Sequence, residues 1–337
     1  MSTHTDRRCV ITGGAGFVGS HLADALITGG AFVTVVDNLS TGRKTNIDHL
    51  LGHDRFQFVR ADVSDMEAMA PIVSECNELY HLASYVGVRL ASQTSSQTIL
   101  NNLRSIDTIL ELATRYKPRL LLTSTSEIYG KALDGRGSDV TTLDEQADRV
   151  YGPTEIHRWS YSGIKAVEEF LTLAKVHEEG LRAVIVRLFN VIGPRQQGLN
   201  GPVVPRLVEQ AVSGRPLTVY NDGRQLRCFT DVSDAVRAIL ALVGLDEAVG
   251  QVFNVGSDRP TTIRTLAEMI VELTGSSSRI EQVPYESVYG TQFEDVVVRI
   301  PNVNKLQEMT GLRCDRPLHE SLADIVASYR GIMETRE

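Results

Sequence analysis

Tyr161 and Lys165 are the residues whose types and spacing first suggest a reaction. If residues 158–175 form a helix, a separation of four positions places both side chains on one face. A tyrosine with an ordinary pKa of about 10 needs a nearby positive charge before it can take a hydroxyl proton at neutral pH, and a lysine ammonium supplies one. The pair predicts general-base chemistry on an alcohol, and a surface Tyr–Lys pair is the alternative.

The elements that must position this pair alternate between strands and helices. A helical stripe is formed by Leu103, Ile106, Leu110 and their neighbours. Apolar, β-branched runs predict strands at residues 9–12, 32–37, 56–60, 79–83, 120–124 and 182–188. Such alternation predicts an α/β fold with a doubly wound parallel sheet of the Rossmann type, because crossover helices must cover both faces.

The pattern changes after about residue 190. Loops rich in glycine and proline precede a predicted helix at 203–213 and short strands at 217–220 and 251–255. We therefore predict a first domain, residues 1–190, that carries the Tyr–Lys pair, and a smaller C-terminal α/β substrate-binding region, residues 191–337. Some strands of the second region can return to the first sheet. Ligands of such sheets bind beyond the carboxyl ends of the strands, so the cleft is expected between the two regions.

A glycine-rich segment follows the first predicted strand and opens a helix. Gly13, Gly16 and Gly19 are three residues apart. The first permits a tight turn, the second lets the backbone approach a pyrophosphate, and the third allows close packing of helix on strand. This context predicts a dinucleotide site, although a simple glycine-rich turn is the alternative.

Asp37 ends the second predicted strand, where a carboxylate can accept hydrogen bonds from both hydroxyls of an adenosine ribose. A 2′-phosphate would be repelled there, so NAD is favoured over NADP in spite of the nearby Arg43. Asp62, at the end of the third strand, is a weaker candidate for the adenine side. A bound nicotinamide cation would join Lys165 in lowering the pKa of Tyr161, by roughly three units together.

Composition limits the partners. The 337 residues carry a net charge of −8, which argues against nucleic acid and anionic membranes. No apolar run is long enough for a membrane span, and the four cysteines are far apart without histidines at metal-ligand spacing. We expect a cytoplasmic protein without a metal, acting on small molecules.

Several motifs together resemble the extended short-chain dehydrogenase/reductases of the nucleotide-sugar epimerase/dehydratase family, over nearly the whole chain. The motifs are TGGAGFVG at 12–19, VDNLSTG at 36–42, HLAS at 81–84, TSTSEIYG at 123–130, YSGIK at 161–165, RLFNVIGPR at 187–195 and LTVYNDGRQLRCFTDV at 217–232. The resemblance implies oxidation at C4 of a nucleotide sugar, with Thr125 beside the Tyr–Lys pair, and a homodimer that pairs two helices of each subunit.

The resemblance also implies which residues surround the ligands. The cofactor residues are Gly13, Gly16, Phe17, Val18, Asp37, Asn38, Ser40, Asp62, Val63, Leu82, Ala83, Ser84, Asn101, Tyr161 and Lys165. The UDP-sugar residues are Ser126, Asn190, Val204, Tyr220, Arg227 and Arg299.

Within the family, a few positions discriminate between reactions. Sugar 4,6-dehydratases have an Asp-Glu pair where this chain has Ser126 and Glu127, whereas UDP-glucuronic acid decarboxylases are similar in having Ser-Glu. Residues 288–303 resemble the decarboxylase domain of the polymyxin-resistance enzyme, whose catalytic arginine corresponds to Arg299. The resemblance therefore implies a lyase that decarboxylates UDP-glucuronic acid, with Thr125, Glu127, Tyr161, Lys165 and Arg299 as catalytic residues, giving UDP-xylose or a UDP-4-keto-pentose.

Two alternatives stay open. A UDP-glucuronate 4-epimerase would keep the carboxylate, which such epimerases hold with an arginine where this chain has Gln197. A non-catalytic NAD-binding protein would be expected to lose the proton-transfer residues, yet Thr125, Tyr161 and Lys165 are all present.

Overall fold

A seven-stranded parallel sheet forms the centre of the protein in a computed structural model that describes residues 7–84, 96–134, 141–198, 202–289, 294 and 296–334. In spatial order the strands are β11 (Val252–Val255), β6 (Ala183–Leu188), β5 (Arg119–Thr125), β4 (Glu78–His81), β1 (Arg8–Thr12), β2 (Phe32–Val36) and β3 (Phe56–Val59). The strand order reverses between β1 and β4, so a ligand crevice is expected at their carboxyl ends. The predicted doubly wound α/β fold is confirmed.

Both faces of the sheet are buried, which explains why its strands are continuously apolar. In β1, Ile11 packs in the core on one face and Val10 in the core on the other. The helices are α1 (Phe17–Thr28), α2 (Met66–Ser74), α3 (Ser96–Tyr116), α4 (Arg158–Glu179), α5 (Val203–Val212), α6 (Val232–Gly244), α7 (Ile263–Thr274), α8 (Tyr285–Tyr289), α9 (Asn304–Thr310) and α10 (Leu318–Glu334). Helices α1 and α6 cover one face, and α2 and α3 the other. None of the helices in the described ranges is long and apolar enough to cross a lipid bilayer.

The later half of the chain builds three small sheets beside the carboxyl edge. They are β7 (Val191–Ile192) with β10 (Thr230–Asp231), β8 (Leu217–Tyr220) with β13 (Ile280–Val283), and β9 (Leu226–Cys228) between β12 (Pro260–Thr262) and β14 (Val298–Arg299). Helices α5, α7 and α10 enclose a separate core. Strand β11 and helix α6 return to the main sheet, so the chain passes between the two regions more than once. The domain boundary at residue 190 stays a prediction.

A buried ion pair fastens α4 to the sheet. Arg187 of β6 donates from Nε and Nη2 to the carboxylate of Glu169 at 2.9 and 2.7 Å, and both residues are at most 2% exposed. The hydroxyl of Ser124 on β5 donates to the same carboxylate at 2.6 Å. Because Glu169 lies one turn beyond Lys165, these contacts fix the helix that carries the Tyr–Lys pair.

We expect Arg187→Leu to destabilise the protein by about 3 kcal/mol or more, since Glu169 would lose its main counter-ion in a buried place. Arg215→Leu, which removes an exposed arginine paired with Glu209, is the control and is expected to cost less than about 1 kcal/mol. Urea unfolding measures both. Equal midpoints for the two variants would show that the buried pair does not stabilise the fold.

Candidate active site

The candidate site lies at the carboxyl ends of β1, β4 and β5, where the glycine-rich turn begins. Gly13 has a φ of +70°, and a Cβ atom there would lie 2.7 Å from the backbone nitrogen of Ala83. Gly16 is the N-cap of α1, and Phe17 and Val18 form its first turn. A Cβ atom at Gly19 would lie 2.5 Å from the carbonyl oxygen of Gly13. Gly13 and Gly19 therefore allow the close backbone contacts expected of them, and the role of Gly16 and the helix N–H groups toward a pyrophosphate is a proposal.

Acidic residues line the ends of β2 and β3. Asp37 accepts hydrogen bonds from the backbone N–H groups of Ala15 at 3.0 Å and Leu39 at 2.8 Å. Burial raises the pKa of Asp37, although these two hydrogen bonds oppose the rise. Asn38 donates to Asp62 at 2.9 Å. The structure thus places the predicted adenosine residues in one hydrogen-bonded group, and their role toward NAD is a proposal.

Tyr161 and Lys165 lie in the first two turns of α4, as predicted. The Tyr161 hydroxyl is hydrogen-bonded to Ser84, which follows β4. The ammonium of Lys165 donates to the carbonyl oxygen of Thr123 at 3.1 Å and to the carboxylate of Glu168 at 2.8 Å. The pair is thus directed toward the strand ends rather than lying on the surface.

The protein alone raises the pKa of Tyr161 well above the usual value of a tyrosine. Burial is the main cause, and the charges of Glu168 and Glu127 add to it, while the hydrogen bond with Ser84 opposes it. The lowering expected from Lys165 does not offset these effects in the protein alone, and the carboxylate of Glu168 lies beside the ammonium.

Thr125, Ser126 and Glu127 turn away from the end of β5 in a 3₁₀ helix, Ser126–Tyr129. Thr125 caps this helix, since its hydroxyl oxygen accepts from the N–H of Glu127 at 3.2 Å. The hydroxyl proton of Thr125 can still be donated to a ligand. Ser126 is buried. The short helix thereby places Thr125 and Glu127 on the side of the sheet edge that carries Tyr161.

Glu127 is held between two arginines. Its carboxylate accepts from Nη1 of Arg299 at 2.6 Å and from Nη2 of Arg158 at 3.3 Å. Burial raises the pKa of Glu127, but the charges of Arg299 and Arg158 outweigh it and hold the pKa well below its usual range. Glu127 is therefore a carboxylate at all physiological pH values.

Arg299 has hydrogen-bonding capacity that the described residues do not use. Its side chain is 3% exposed, and Nη1 is bound to Glu127, but Nε and Nη2 have no hydrogen-bond partner among the described residues. These two nitrogens donate in parallel, which suits a carboxylate or phosphate. Buried donors without acceptors are rare, so these two nitrogens are candidates for binding an anionic ligand.

The other predicted substrate residues lie in the small sheets. Asn190 has a φ of 37° and donates to the carbonyl oxygen of Cys228 at 2.9 Å. Val204 has its side chain in the core, so only its backbone N–H, in the first turn of α5, is left for a ligand. The ring of Tyr220 lies 4.9 Å from that of Tyr285.

Arg227, the residue predicted to bind the diphosphate, donates to backbone carbonyl oxygens of the neighbouring segment. Its Nη1 binds the carbonyl oxygens of Leu226 at 2.9 Å and Val297 at 3.2 Å, and its Nη2 binds that of Val296 at 2.5 Å. It lies directly beside Arg299 in the parallel pair of β9 and β14. Its predicted contact with the nucleotide is a proposal, and residues 290–293 and 295 of the resembling segment lie outside the described residues.

The remaining predicted cofactor residues are spread around the turn. Leu82 and Ala83 close over Gly13, Val63 is buried beneath the sheet edge, and Asn101 accepts from Gln97 at 2.7 Å. Ser40 lies in the loop after Asp37, where its N–H donates to Asn38 at 3.0 Å.

Three site residues were not predicted. Arg158 precedes Tyr161 by one helical turn, and that spacing was the available signal. Glu168 follows Lys165 by three residues, which is also a helical spacing. Asn102, next to the predicted Asn101, is buried and accepts from the Ser84 hydroxyl at 3.1 Å. The rotation of α3 against the sheet decides which of the two asparagines faces Ser84.

Comparison with protein families gives a match to the NAD dependent epimerase/dehydratase family over residues 9–256. The chain belongs to this family, and the predicted cofactor, NAD, is confirmed. The residues described above, from the glycine turn to Tyr161 and Lys165, are those available to hold it.

Individual proteins resemble this chain over nearly its whole length. UDP-N-acetyl-alpha-D-glucosaminuronate decarboxylase of Bacillus cytotoxicus is 39% identical over 97% of this chain and 98% of its own. UDP-glucuronic acid decarboxylase 1 of Xenopus tropicalis is 34% identical over 99% of this chain and 75% of its own. The crystal structure of a UDP-glucose 4-epimerase with UDP-glucose from Thermotoga maritima has a TM-score of 0.85 at 27% identity, covering 97% of this chain and 99% of that one.

We expect Gly19→Ala to weaken NAD binding at least about tenfold, because the added methyl group would displace the turn at Gly13. Gly244→Ala is the matched control, since a Cβ atom there meets nothing within 4 Å. Titration calorimetry with NAD measures both. Equal affinities in the two variants would contradict the proposed role of this turn.

Proposed function

We propose that this chain catalyses the NAD-dependent decarboxylation of UDP-glucuronic acid through a 4-keto intermediate. The observation that carries the proposal is the buried Arg299, whose Nε and Nη2 are without partners among the described residues while Nη1 is fixed by Glu127. Two parallel donors on one side of a guanidinium group suit the C6 carboxylate of a uronic acid. The decarboxylases of Bacillus cytotoxicus and Xenopus tropicalis, similar over nearly all of this chain, support it.

Proton transfer at the C4 hydroxyl falls to Tyr161. NAD, when bound, supplies the oxidation of C4 and its later reduction. Tyr161 takes the proton of the hydroxyl, and Lys165, one helical turn further along α4, supplies a positive charge. Thr125, at the end of β5, donates a hydrogen bond to the oxygen on C4.

The ketone at C4 makes loss of the carboxylate easy, because C6 is then attached to the carbon next to the ketone. The bond between C5 and C6 breaks, carbon dioxide leaves, and the electron pair passes into an enolate whose oxygen Tyr161 and Thr125 stabilise by hydrogen bonding. A proton then adds to C5. Glu127 stays ionised beside Arg299 and Arg158, so its first role is to hold the guanidinium groups in place. Tyr161 returns its proton when the ketone is reduced to give a UDP-pentose.

A second candidate substrate is UDP-N-acetyl-glucosaminuronic acid. The Bacillus cytotoxicus relative is named for it and is 39% identical, against 34% for the Xenopus tropicalis enzyme. The two substrates differ only at C2 of the sugar. The chemistry at C4, C5 and C6 is the same, so the residues above serve both.

Incubation of the pure protein with NAD and either UDP-uronic acid tests the proposal. We expect carbon dioxide and a nucleotide sugar that is lighter by one carboxyl group. The ratio of kcat/KM for the two uronic acids selects the substrate. A product of unchanged mass with inverted C4 would instead show epimerisation, and no turnover of either compound would support a non-catalytic protein.

We expect Arg299→Gln to lower the release of carbon dioxide at least about a hundredfold, because the carboxylate loses its bidentate donor. Oxidation at C4 does not need this contact, so the absorbance of reduced cofactor should still appear when substrate is added. Arg313→Gln, at a half-exposed position, is the control. Loss of both signals in Arg299→Gln would mean that the arginine binds the substrate as a whole rather than acting on the carboxylate.

The predicted homodimer has support in the exposed surface of α3 and α4. Val167, Phe170 and Leu171 form one stripe along α4, and Phe170 is 63% exposed. Leu100 of α3, a helix that packs against α4, is also exposed. A second copy of the chain would cover these apolar side chains in a four-helix contact. The cytoplasmic location stays a prediction.

Phe170→Glu is expected to convert the dimer to a monomer, because a charge would be buried at the centre of the contact. Leu51→Glu, at an exposed apolar residue outside these two helices, should leave the dimer intact. Sedimentation velocity distinguishes the two. A wild-type chain that sediments as a monomer would contradict the dimer.

A further inference from the structure

A buried carboxylate lies directly against the lysine of the active site. The Lys165 ammonium and the Glu168 carboxylate are 2.8 Å apart, and the two side chains are 3% and 2% exposed. The ammonium also donates to the carbonyl oxygen of Thr123. Lys165 is therefore fixed on two sides by the protein before any ligand is present.

This arrangement changes the electrostatics of the proton-transfer site. An isolated ammonium next to a phenol favours loss of the phenolic proton, but an ammonium neutralised by a carboxylate does so much less. Glu168 is close enough to Tyr161 that its charge disfavours the phenolate directly. Two carboxylates, Glu168 and Glu127, act on Tyr161 in this way, and Glu127 is itself paired with Arg299 and Arg158.

Among the residues that the structure describes, His81 and Thr123 are also neighbours of Lys165, and both are uncharged. From β4, His81 lies near Lys165, and burial together with the Lys165 charge lowers its pKa to about 3, so it is neutral. From β5, Thr123 presents only a carbonyl oxygen. Ser84, after β4, contributes a hydroxyl group. Within α4, Glu168 is thus the charged neighbour that sets the effect of Lys165.

We propose that Glu168 is a positioning residue that holds the Lys165 ammonium against the Thr123 carbonyl and offsets its charge, so that Lys165 favours the Tyr161 phenolate less than an unpaired ammonium would. Tyr161 can then exchange a proton in both directions, because its phenolate takes the C4 hydroxyl proton and the resulting phenol returns that proton later. This proposal rests on the proposed function for its catalytic meaning, but the contact itself does not depend on the identity of the substrate.

The Glu168→Gln variant separates charge from position. The amide keeps an acceptor for Lys165 but removes the negative charge, so the ionisation midpoint of Tyr161 should fall by about one unit or more. The midpoint is measured on the NAD complex by NMR of ¹³C-labelled tyrosine, with Tyr161→Phe identifying the resonance. The acidic limb of the pH profile of kcat/KM should move in the same direction.

Two controls accompany this variant. Glu179→Gln removes an exposed carboxylate paired with Lys175 on the same helix and should leave the midpoint unchanged. Glu168→Asp keeps the charge and should restore the midpoint of the wild type to within about 0.3 units. An unchanged midpoint in Glu168→Gln, or an equal shift in Glu179→Gln, would overturn the proposal.

A second pair of variants decides the question if Glu168→Gln does not fold. Lys165→Met leaves Glu168 without its partner, whereas Lys165→Met with Glu168→Leu removes both charges. We expect a lower Tyr161 midpoint in the double variant, and equal midpoints would contradict the proposal. Because these NMR measurements need no substrate, they stay informative even if neither UDP-uronic acid is decarboxylated.

Discussion

Charged groups buried at the carboxyl edge of the sheet must each have a partner, and the site is organised around this requirement. An isolated charge in such a place would cost several kcal/mol, so an arginine or lysine can be held there only with a carboxylate beside it. Arg187 is paired with Glu169, Lys165 with Glu168, and Arg299 with Glu127. Two of the three carboxylates lie on α4, the helix that carries Tyr161.

These three ion pairs differ in which hydrogen-bond donors of the cation are left for a ligand. Arg187 is bound to Glu169 and also to Tyr129, so it serves to hold the helix against the sheet. Lys165 is bound to Glu168 and Thr123 and is offset in charge. Arg299 alone of these cations keeps two donors without a partner among the described residues. The same physical rule therefore produces a helix fastened to the sheet, a lysine whose charge is compensated, and an arginine with two donors left for the proposed substrate carboxylate.

The relation between decarboxylation and epimerisation depends on this geometry. In the proposed mechanism, the turn at Gly13, the Tyr161–Lys165 pair and the Thr125 cap serve oxidation at C4, which both reactions require. Only the surroundings of the carboxylate distinguish them, and these come from the later half of the chain, where β14 brings Arg299 beside β9. The high TM-score with a UDP-glucose 4-epimerase reflects a shared fold, and it carries no weight for the fate of a keto intermediate.

The sequence by itself determined the features that depend on neighbouring residues. Strand and helix periodicity, the spacing of Gly13, Gly16 and Gly19, and the four-residue step from Tyr161 to Lys165 are all local, so the fold class and the NAD turn could be predicted. Thr125 and Arg299 came from resemblance to relatives rather than from spacing.

Only the tertiary structure decided which distant groups meet. The contact between Arg299 and Glu127 joins residues 172 positions apart, and no periodicity encodes such a separation. The return of β11 to the main sheet and the rotation of α3 that presents Asn102 to Ser84 likewise depend on how complete elements pack. The charge compensation between Lys165 and Glu168 also depends on tertiary packing. A helical spacing of three allows the contact, but burial against β5 is what gives the ion pair its electrostatic effect.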